Sequence, residues 1–295
     1  MNAHEVRQLH PLFTGEVNGL DLREPLDKAI VEEIATAMDR YAVLVFRGEK
    51  LSEEQQVAFS ARFGPIAAQN GVLQTGIKRR VSEKLVDISN LDENNRVLGA
   101  DDRRRMFALG NQLWHTDSSF KRIPAKYSLL HAHAVTPEGG ETQFADMRAA
   151  YDALSDNMKR RIEGLLAEHS IFHSRSKLGF TEFTAEERAA LPPAQHPVVR
   201  IHPGSRRKTL YLASHASHVI GLPIPDGRML IGELIEHATQ PSFVYTHRWE
   251  VGDLVMWDNR CTMHRGRPYD EATHRRDLRR ATVDNVEAAD EVRVA

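Results

Sequence analysis

An all-β core with helical insertions (α+β), built as a double-stranded β-helix of the jelly-roll or cupin-like kind, is the fold class this sequence predicts. Three observations point to it. Short strand-like segments recur downstream of residue 126: Tyr127 to Val135, Pro197 to His202, Lys208 to Ala213, Ser242 to Trp249, Asp253 to Trp257 and Asp277 to Val283. Helical periodicity is limited to a few flanking stretches. A His-x-Asp pair, His115 and Asp117, is answered far downstream by His264, and facing strands of one barrel would bring the three together.

In chain order, Leu26 to Tyr41 reads as an amphipathic helix, with Leu26, Ile30, Ile34, Met38 and Tyr41 at spacings of three and four. It runs into the apolar strand Val43 to Phe46, which Gly48 ends. Ser52-Glu53-Glu54-Gln55 has the form of a capping box and starts a second helix carrying Val57, Phe59 and Phe63, stopped by Gly64-Pro65. Residues 66–110 are polar and without periodicity, which fits either a solvated surface loop or a functional lid. Pro137-Glu138-Gly139-Gly140 is turn chemistry. Ala149 to Leu166 reads as helical with a break near Ser155, which can cap the second piece, and Arg228 to Thr239 as a further helix.

Composition narrows the function classes. The 295 residues suit one large domain or two small ones, with no internal repeat. Lys+Arg 39 against Asp+Glu 41 leaves a net charge of −2, which argues against a binder that holds nucleic acid by bulk charge. No apolar run approaches the roughly 20 residues needed to span a bilayer. The N-terminus, Met1-Asn2-Ala3-His4-Glu5, lacks the pattern of a secretory signal, and the single Cys261 cannot form an intramolecular disulfide. A cytoplasmic protein is the simplest expectation.

The chemistry lies in the histidines and arginines. On an extended strand His115 and Asp117 point to one face, because side chains alternate with period two. With His264 they make a two-histidine, one-carboxylate set, which holds non-haem iron(II) and leaves positions open for reaction. Zinc competes for the same ligands. His131 and His133 share the two-residue spacing but lack the carboxylate, and they read as strand and core histidines. His215 and His218 read as structural or substrate-facing. Parity sorts the C-terminal arginines: Arg276 and Arg280 share a face with Leu278, Arg275 and Arg279 take the other. Two inward guanidinium groups near a metal would hold two anions, as an enzyme with two acidic substrates requires.

These segments resemble the iron(II)/2-oxoglutarate-dependent dioxygenases of the taurine-dioxygenase superfamily, and within it the aryloxyacetate (2,4-dichlorophenoxyacetate) herbicide dioxygenases. The resemblance runs through Asp21 to Glu24, Val43 to Gly48, Asn111 to Phe120, Phe144 to Leu154, Gly252 to Cys261, His264 to Arg267 and Arg275 to Thr282. It implies a single domain over 1–295, with 66–110 as an active-site lid or loop. It implies His115, Asp117 and His264 as ligands of Fe(II), with 2-oxoglutarate and O2 as cosubstrates. Thr142 and Arg276 would bind the far carboxylate of 2-oxoglutarate, Arg280 the anionic group of the primary substrate, and Asn111 would line that pocket, with His215 a further lining residue. Trp114, Trp257 and Asn259 are expected to pack and to hydrogen-bond at strand ends, and Cys261 to be a small buried residue. The implied reaction cleaves an aryloxyalkanoic acid to a phenol and glyoxylate, with succinate and CO2. The implied partner is a small anionic, aromatic carboxylate substrate, with no membrane or nucleic acid, in a homo-oligomer. An alkyl sulfonate or sulfate ester as substrate, or a zinc hydrolase or non-catalytic anion-binding barrel, are the competing readings. The herbicide enzymes carry a lysine shortly after Phe-Gly-Pro; here none follows Phe63-Gly64-Pro65 before Lys78, so Lys78, Lys84 and Arg96 are the alternatives for that place.

Overall fold

The computed structural model describes residues 5–68 and 78–286. The readings made on residues 1–4 and on 69–77 lie outside them.

The chain opens with β1 (Glu5–Gln8), β2 (Gly15–Asn18), α1 (Lys28–Tyr41), β3 (Val43–Phe46), α2 (Glu53–Ser60), β4 (Val86–Ser89) and α3 (Arg103–Ala108). The middle comprises β5 (Ala125–Ala134), β6 (Thr142–Asp146), α4 (Met147–Asp152), α5 (Asp156–Ile162), β7 (Leu166–His169), α6 (Ile171–Ser176) and α7 (Ala185–Ala190). Then come β8 (Ala194–Pro197), β9 (Val199–Ile201), β10 (Lys208–Leu210), β11 (Ala216–Val219), α8 (Ile224–Ala238), β12 (Val244–His247), β13 (Leu254–Asp258), β14 (Thr262–Gly266) and β15 (Asp277–Asp284). A seven-stranded sheet has the order β1-β2-β3-β13-β5-β15-β4, and a three-stranded sheet the order β12-β6-β14.

Strand alternation divides the core. In β3, Leu44 and Phe46 pack with Ile34 and Met38 of α1 and Phe59 of α2, while Val43 and Val45 pack with Phe144 of β6 on the opposite side. Leu129 and Met256 repeat the first direction, Leu130, Val255 and Trp257 the second. The large sheet thus has helices on one face and the small sheet on the other, as a jelly-roll core requires. Each such side chain contributes about 1.5–3 kcal/mol by leaving water.

The Ser52 capping box forms in full: Ser52 Oγ accepts from Gln55 N at 3.2 Å and Gln55 Oε1 from Ser52 N at 2.9 Å. Ser155 caps α5 by accepting from Met158 N, so the break inside 149–166 is real. Other expectations need correction. Within 66–110 the described residues include β4, paired to β15, and α3. Four residues are too few to show alternation, and α3 buries none of its residues, so neither left a pattern. Strands β1, β2, β6, β7, β8 and β11 were also unread: each has four or five residues, and unlike β3 none is a continuous apolar run. α8 starts at Ile224, ahead of Arg228, because Pro223 serves as its N-cap. His115 and Asp117 do not lie on a regular strand: His115 makes an isolated bridge with His264 and Asp117 enters a turn.

Candidate metal centre

The bridge does what a strand would have done. His115 N donates to His264 O at 2.9 Å and His264 N to His115 O at 2.8 Å, which sets the imidazoles side by side, ring centres 4.1 Å apart. Asp117 completes the group, with His115 Nε2 at 3.8 Å from Oδ1 and His264 Nε2 at 3.7 Å from Oδ2. The three potential ligand atoms all lie within 4.8 Å of one another. Each residue is buried.

Neighbouring groups fix the ionisation and aim of each ligand. Leu113 O accepts a hydrogen bond from His115 Nδ1–H at 2.8 Å, which leaves the Nε2 lone pair facing the centre. Burial lowers His115 and drives His264 well below the ordinary histidine range, so both are neutral. Burial alone would raise Asp117, but the charge of Arg280 above all, together with the Ser128 hydrogen bond, holds it at about 2. Two neutral imidazoles and one carboxylate, with three inward lone pairs, fit a divalent ion and suit iron(II).

The carboxylate is held from behind. Ser128 Oγ donates to Asp117 Oδ2 at 2.7 Å and accepts from Asn259 Nδ2 at 3.0 Å. Asn259 Oδ1 takes both the Asp117 amide at 3.2 Å and Trp257 Nε1 at 3.0 Å. Ser128 was not foreseen; its even parity with Leu130 along β5 was the available signal. Ser128→Ala is expected to weaken metal binding about 10–100-fold by freeing the carboxylate. It should also cost about 1–3 kcal/mol of stability by leaving the Asn259 amide unpaired. Metal titration and thermal denaturation check the two effects, and an unchanged metal affinity would remove Ser128 from this role.

The arginines follow the parity read from sequence. Leu278 and Arg280 pair with Ala132 and Leu130 on the inner face, whereas Arg279 turns outward to Glu53 Oε1 at 2.7 Å and Arg275 is exposed. Arg276 is buried and donates from Nη2 to Gly140 O at 3.1 Å. Burial lowers its pKa, against raising contributions from Tyr269 and Glu271. Gly140 is required there: its φ is +71°, and a Cβ would stand 2.9 Å from Thr136 Oγ1 and 3.3 Å from Arg276 Nε. Arg276, Thr142 and His264 line a cavity of about 100 Å³, where Thr142 Oγ1 accepts from Trp249 Nε1 at 3.0 Å.

A second cavity of about 280 Å³ adjoins the centre, lined in part by Asn111, His115, Asp117, Phe120, His215 and Arg280. Arg280 borders both cavities; it donates from Nη1 to Asp117 Oδ1, and its Nε is buried without a partner. His215 Nδ1 meets Ser174 Oγ at 2.9 Å. Ser174 spends its hydroxyl hydrogen on Ile171 O at 2.7 Å, so His215 is the donor and keeps Nε2 as an acceptor. Of the three candidates for the missing lysine, Lys78 lines this cavity; among the described residues that line it, Lys84 and Arg96 do not appear. Lys121 does, and sequence reading missed it.

The other histidines take structural places. His131 Nε2 bonds Glu49 O at 2.6 Å and its Nδ1 meets His133 Nε2 at 3.1 Å. His202, Asp258 and Cys261 also converge, but His202 and Arg260 occupy the Asp258 carboxylate at 2.9 and 2.7 Å, and Cys261 is free and buried. Trp114 packs against the apolar cluster around α8 and carries the Arg265 guanidinium over its ring at 4.7 Å.

Comparison with known proteins agrees with this geometry. The chain is 52% identical over 278 residues to the alpha-ketoglutarate-dependent 2,4-dichlorophenoxyacetate dioxygenase of Cupriavidus pinatubonensis, covering 93% of this chain and 95% of that one. It is 37% identical over 276 residues to the (S)-phenoxypropionate/alpha-ketoglutarate-dioxygenase of Sphingobium herbicidovorans, covering 91% of each. The crystal structure of AAD-2 in complex with Mn(II) and N-oxalylglycine superposes with a TM-score of 0.93 at 52% identity, over 96% of this chain and 98% of that one. The model of the taurine catabolism dioxygenase TauD, TfdA family matches residues 5–282, and the chain belongs to that family.

Proposed function

We propose that this protein is an Fe(II)- and 2-oxoglutarate-dependent dioxygenase that converts an aryloxyalkanoic acid such as 2,4-dichlorophenoxyacetate to a phenol and glyoxylate. 2-Oxoglutarate and O2 are consumed, and succinate and CO2 released. The observation that carries the reading is the pair of cavities meeting at His115, Asp117 and His264: one holds Arg276 and Thr142, the other joins Arg280 to Phe107, Phe120, Ile171 and Leu191. Neither a zinc hydrolase nor a passive anion-binding barrel gives both anion sites a purpose.

Bound at the three ligands, ferrous iron supplies the oxygen chemistry that couples decarboxylation of the keto acid to hydroxylation of a C–H bond. The chain's own residues do the placing. In this reading Arg276 and the Thr142 hydroxyl take the far carboxylate of 2-oxoglutarate, which would turn its keto acid end toward His115, Asp117 and His264. Arg280 presents its unpaired Nε to the acid of the aryl substrate, while Phe120 and Asn111 border the ring and His215 fills the wall as a neutral acceptor. Holding the acid would orient the carbon next to the ether oxygen toward the three ligand residues. Hydroxylation there gives a hemiacetal, which collapses to phenol and glyoxylate. The chain is read as one domain, with described residues between 78 and 110 bordering the larger cavity, and as a cytoplasmic homo-oligomer. Among the described residues no helix is long and apolar enough to cross a membrane, and Cys261 is free.

The test is oxygen uptake over a panel of aryloxyacetates, alkyl sulfonates and sulfate esters with Fe(II) and 2-oxoglutarate. Aryloxyacetates are expected to give coupled turnover and phenol; turnover confined to sulfonates would replace the substrate while keeping the class. Arg280→Ala should raise KM for the aryl acid far more than it affects uncoupled 2-oxoglutarate consumption. Equal loss of both would refute its substrate role.

A further inference from the structure

Among the described residues, Arg175 is a buried cation with no anion paired to it. The residue, on α6, is 6% exposed, its Nη1 donates to Ser174 Oγ at 3.3 Å, and its Nε–H is buried without an acceptor. Burial alone pulls its pKa down to about 10, and among the described residues no neighbouring carboxylate restores it. The guanidinium lies over the Phe107 ring, 4.1 Å from its centre, which fixes its plane and leaves its edge to donate. It lines the larger cavity with His115, Asp117, Phe120 and Arg280. Gly110 makes the room: a Cβ there would stand 1.9 Å from Arg175 Nη1. A cation desolvated in this way is costly unless an anion joins it, and Arg280, a further guanidinium at this cavity, already donates to Asp117.

Resting on the dioxygenase reading above, we propose that Arg175 is a substrate-binding residue: with Arg280 it holds the carboxylate of the aryl acid, and it makes the chamber select acids over neutral aryl ethers. The same hydrogen bonds that hold Ser174 hold His215 beside it, so the clamp and the wall of the chamber share one support.

The test uses the iron-loaded enzyme and its Arg175→Met and Gly110→Ala variants, with 2,4-dichlorophenoxyacetate and its neutral amide as probes. Removing a charge-assisted hydrogen bond should raise KM for the acid about 10–100-fold in Arg175→Met. Affinity for the amide and KM for 2-oxoglutarate in uncoupled turnover should stay unchanged. Tm should hold or rise, because an unpaired buried cation has gone. Gly110→Ala, which displaces the guanidinium but keeps it, should raise KM for the acid by a smaller factor. An unchanged KM for the acid in Arg175→Met overturns the proposal, as does equal loss for acid and amide with a lowered Tm, the mark of a structural role. If the wild-type enzyme consumes no 2-oxoglutarate at all, the dioxygenase reading itself falls and takes this proposal with it; the uncoupled assay separates the two failures.

Discussion

His264→Ala is expected to abolish ferrous binding and both coupled and uncoupled turnover while leaving the protein folded. The imidazole is one of three ligand groups, and the two that remain sit on the His115–Asp117 segment, which cannot enclose a metal alone. The cost to stability is contained because His264 Nδ1 is buried without a partner, so truncation orphans no hydrogen-bond donor or acceptor across from it. What is lost is packing on Trp257, 4.7 Å away between ring centres, worth about 1–3 kcal/mol. Anaerobic Fe(II) titration, 2-oxoglutarate consumption and thermal denaturation measure the three effects separately. Wild-type metal affinity in the variant would disprove the metal centre; unfolding would leave Asp117→Asn, which preserves shape, to decide it by the same titration.

The second large effect falls on the cosubstrate. Arg276→Leu should raise KM for 2-oxoglutarate about 100-fold or more, since two charge-assisted hydrogen bonds of roughly 1.5–3 kcal/mol each go with the guanidinium. Metal affinity should not change, because Arg276 touches Gly140 and the Asn90 side chain rather than the ligands. Stability should change little: among the described residues no carboxylate is paired with this buried cation. Kinetics with varied 2-oxoglutarate at saturating Fe(II) give the first value. A KM unchanged within error would mean that the keto acid is held elsewhere.

Much of this site was legible in the chain. Parity placed Arg276, Leu278 and Arg280 on one face, and pairing of Leu278 with Ala132 and Arg280 with Leu130 puts that face inward. Period two survives even the register shift between Asp277 and Leu278, because the extra residue, His133, lies on β5 and not on the arginine-bearing strand. The same reasoning placed His115 and Asp117 on a strand, and there it erred in form. One extended bridge and a turn gave the same convergence, since the local alternation of two residues does not need a whole strand. Strand β4 and helix α3 went unseen because four to six residues with partial burial carry no period.

By itself the sequence determined which donor atoms were available: two imidazoles and a carboxylate, two inward guanidinium groups, and the caps and turns that end each element. Those are properties of residue type and of neighbours within a few positions. The tertiary structure alone decided how charges far apart in the chain are matched: Arg280 against Asp117, Ser128 and Asn259 behind the same carboxylate, and Arg175 without a paired carboxylate among the described residues. Such pairings come from packing that brings distant segments together, and the free energy of a charge depends on what surrounds it after folding, which no local pattern encodes.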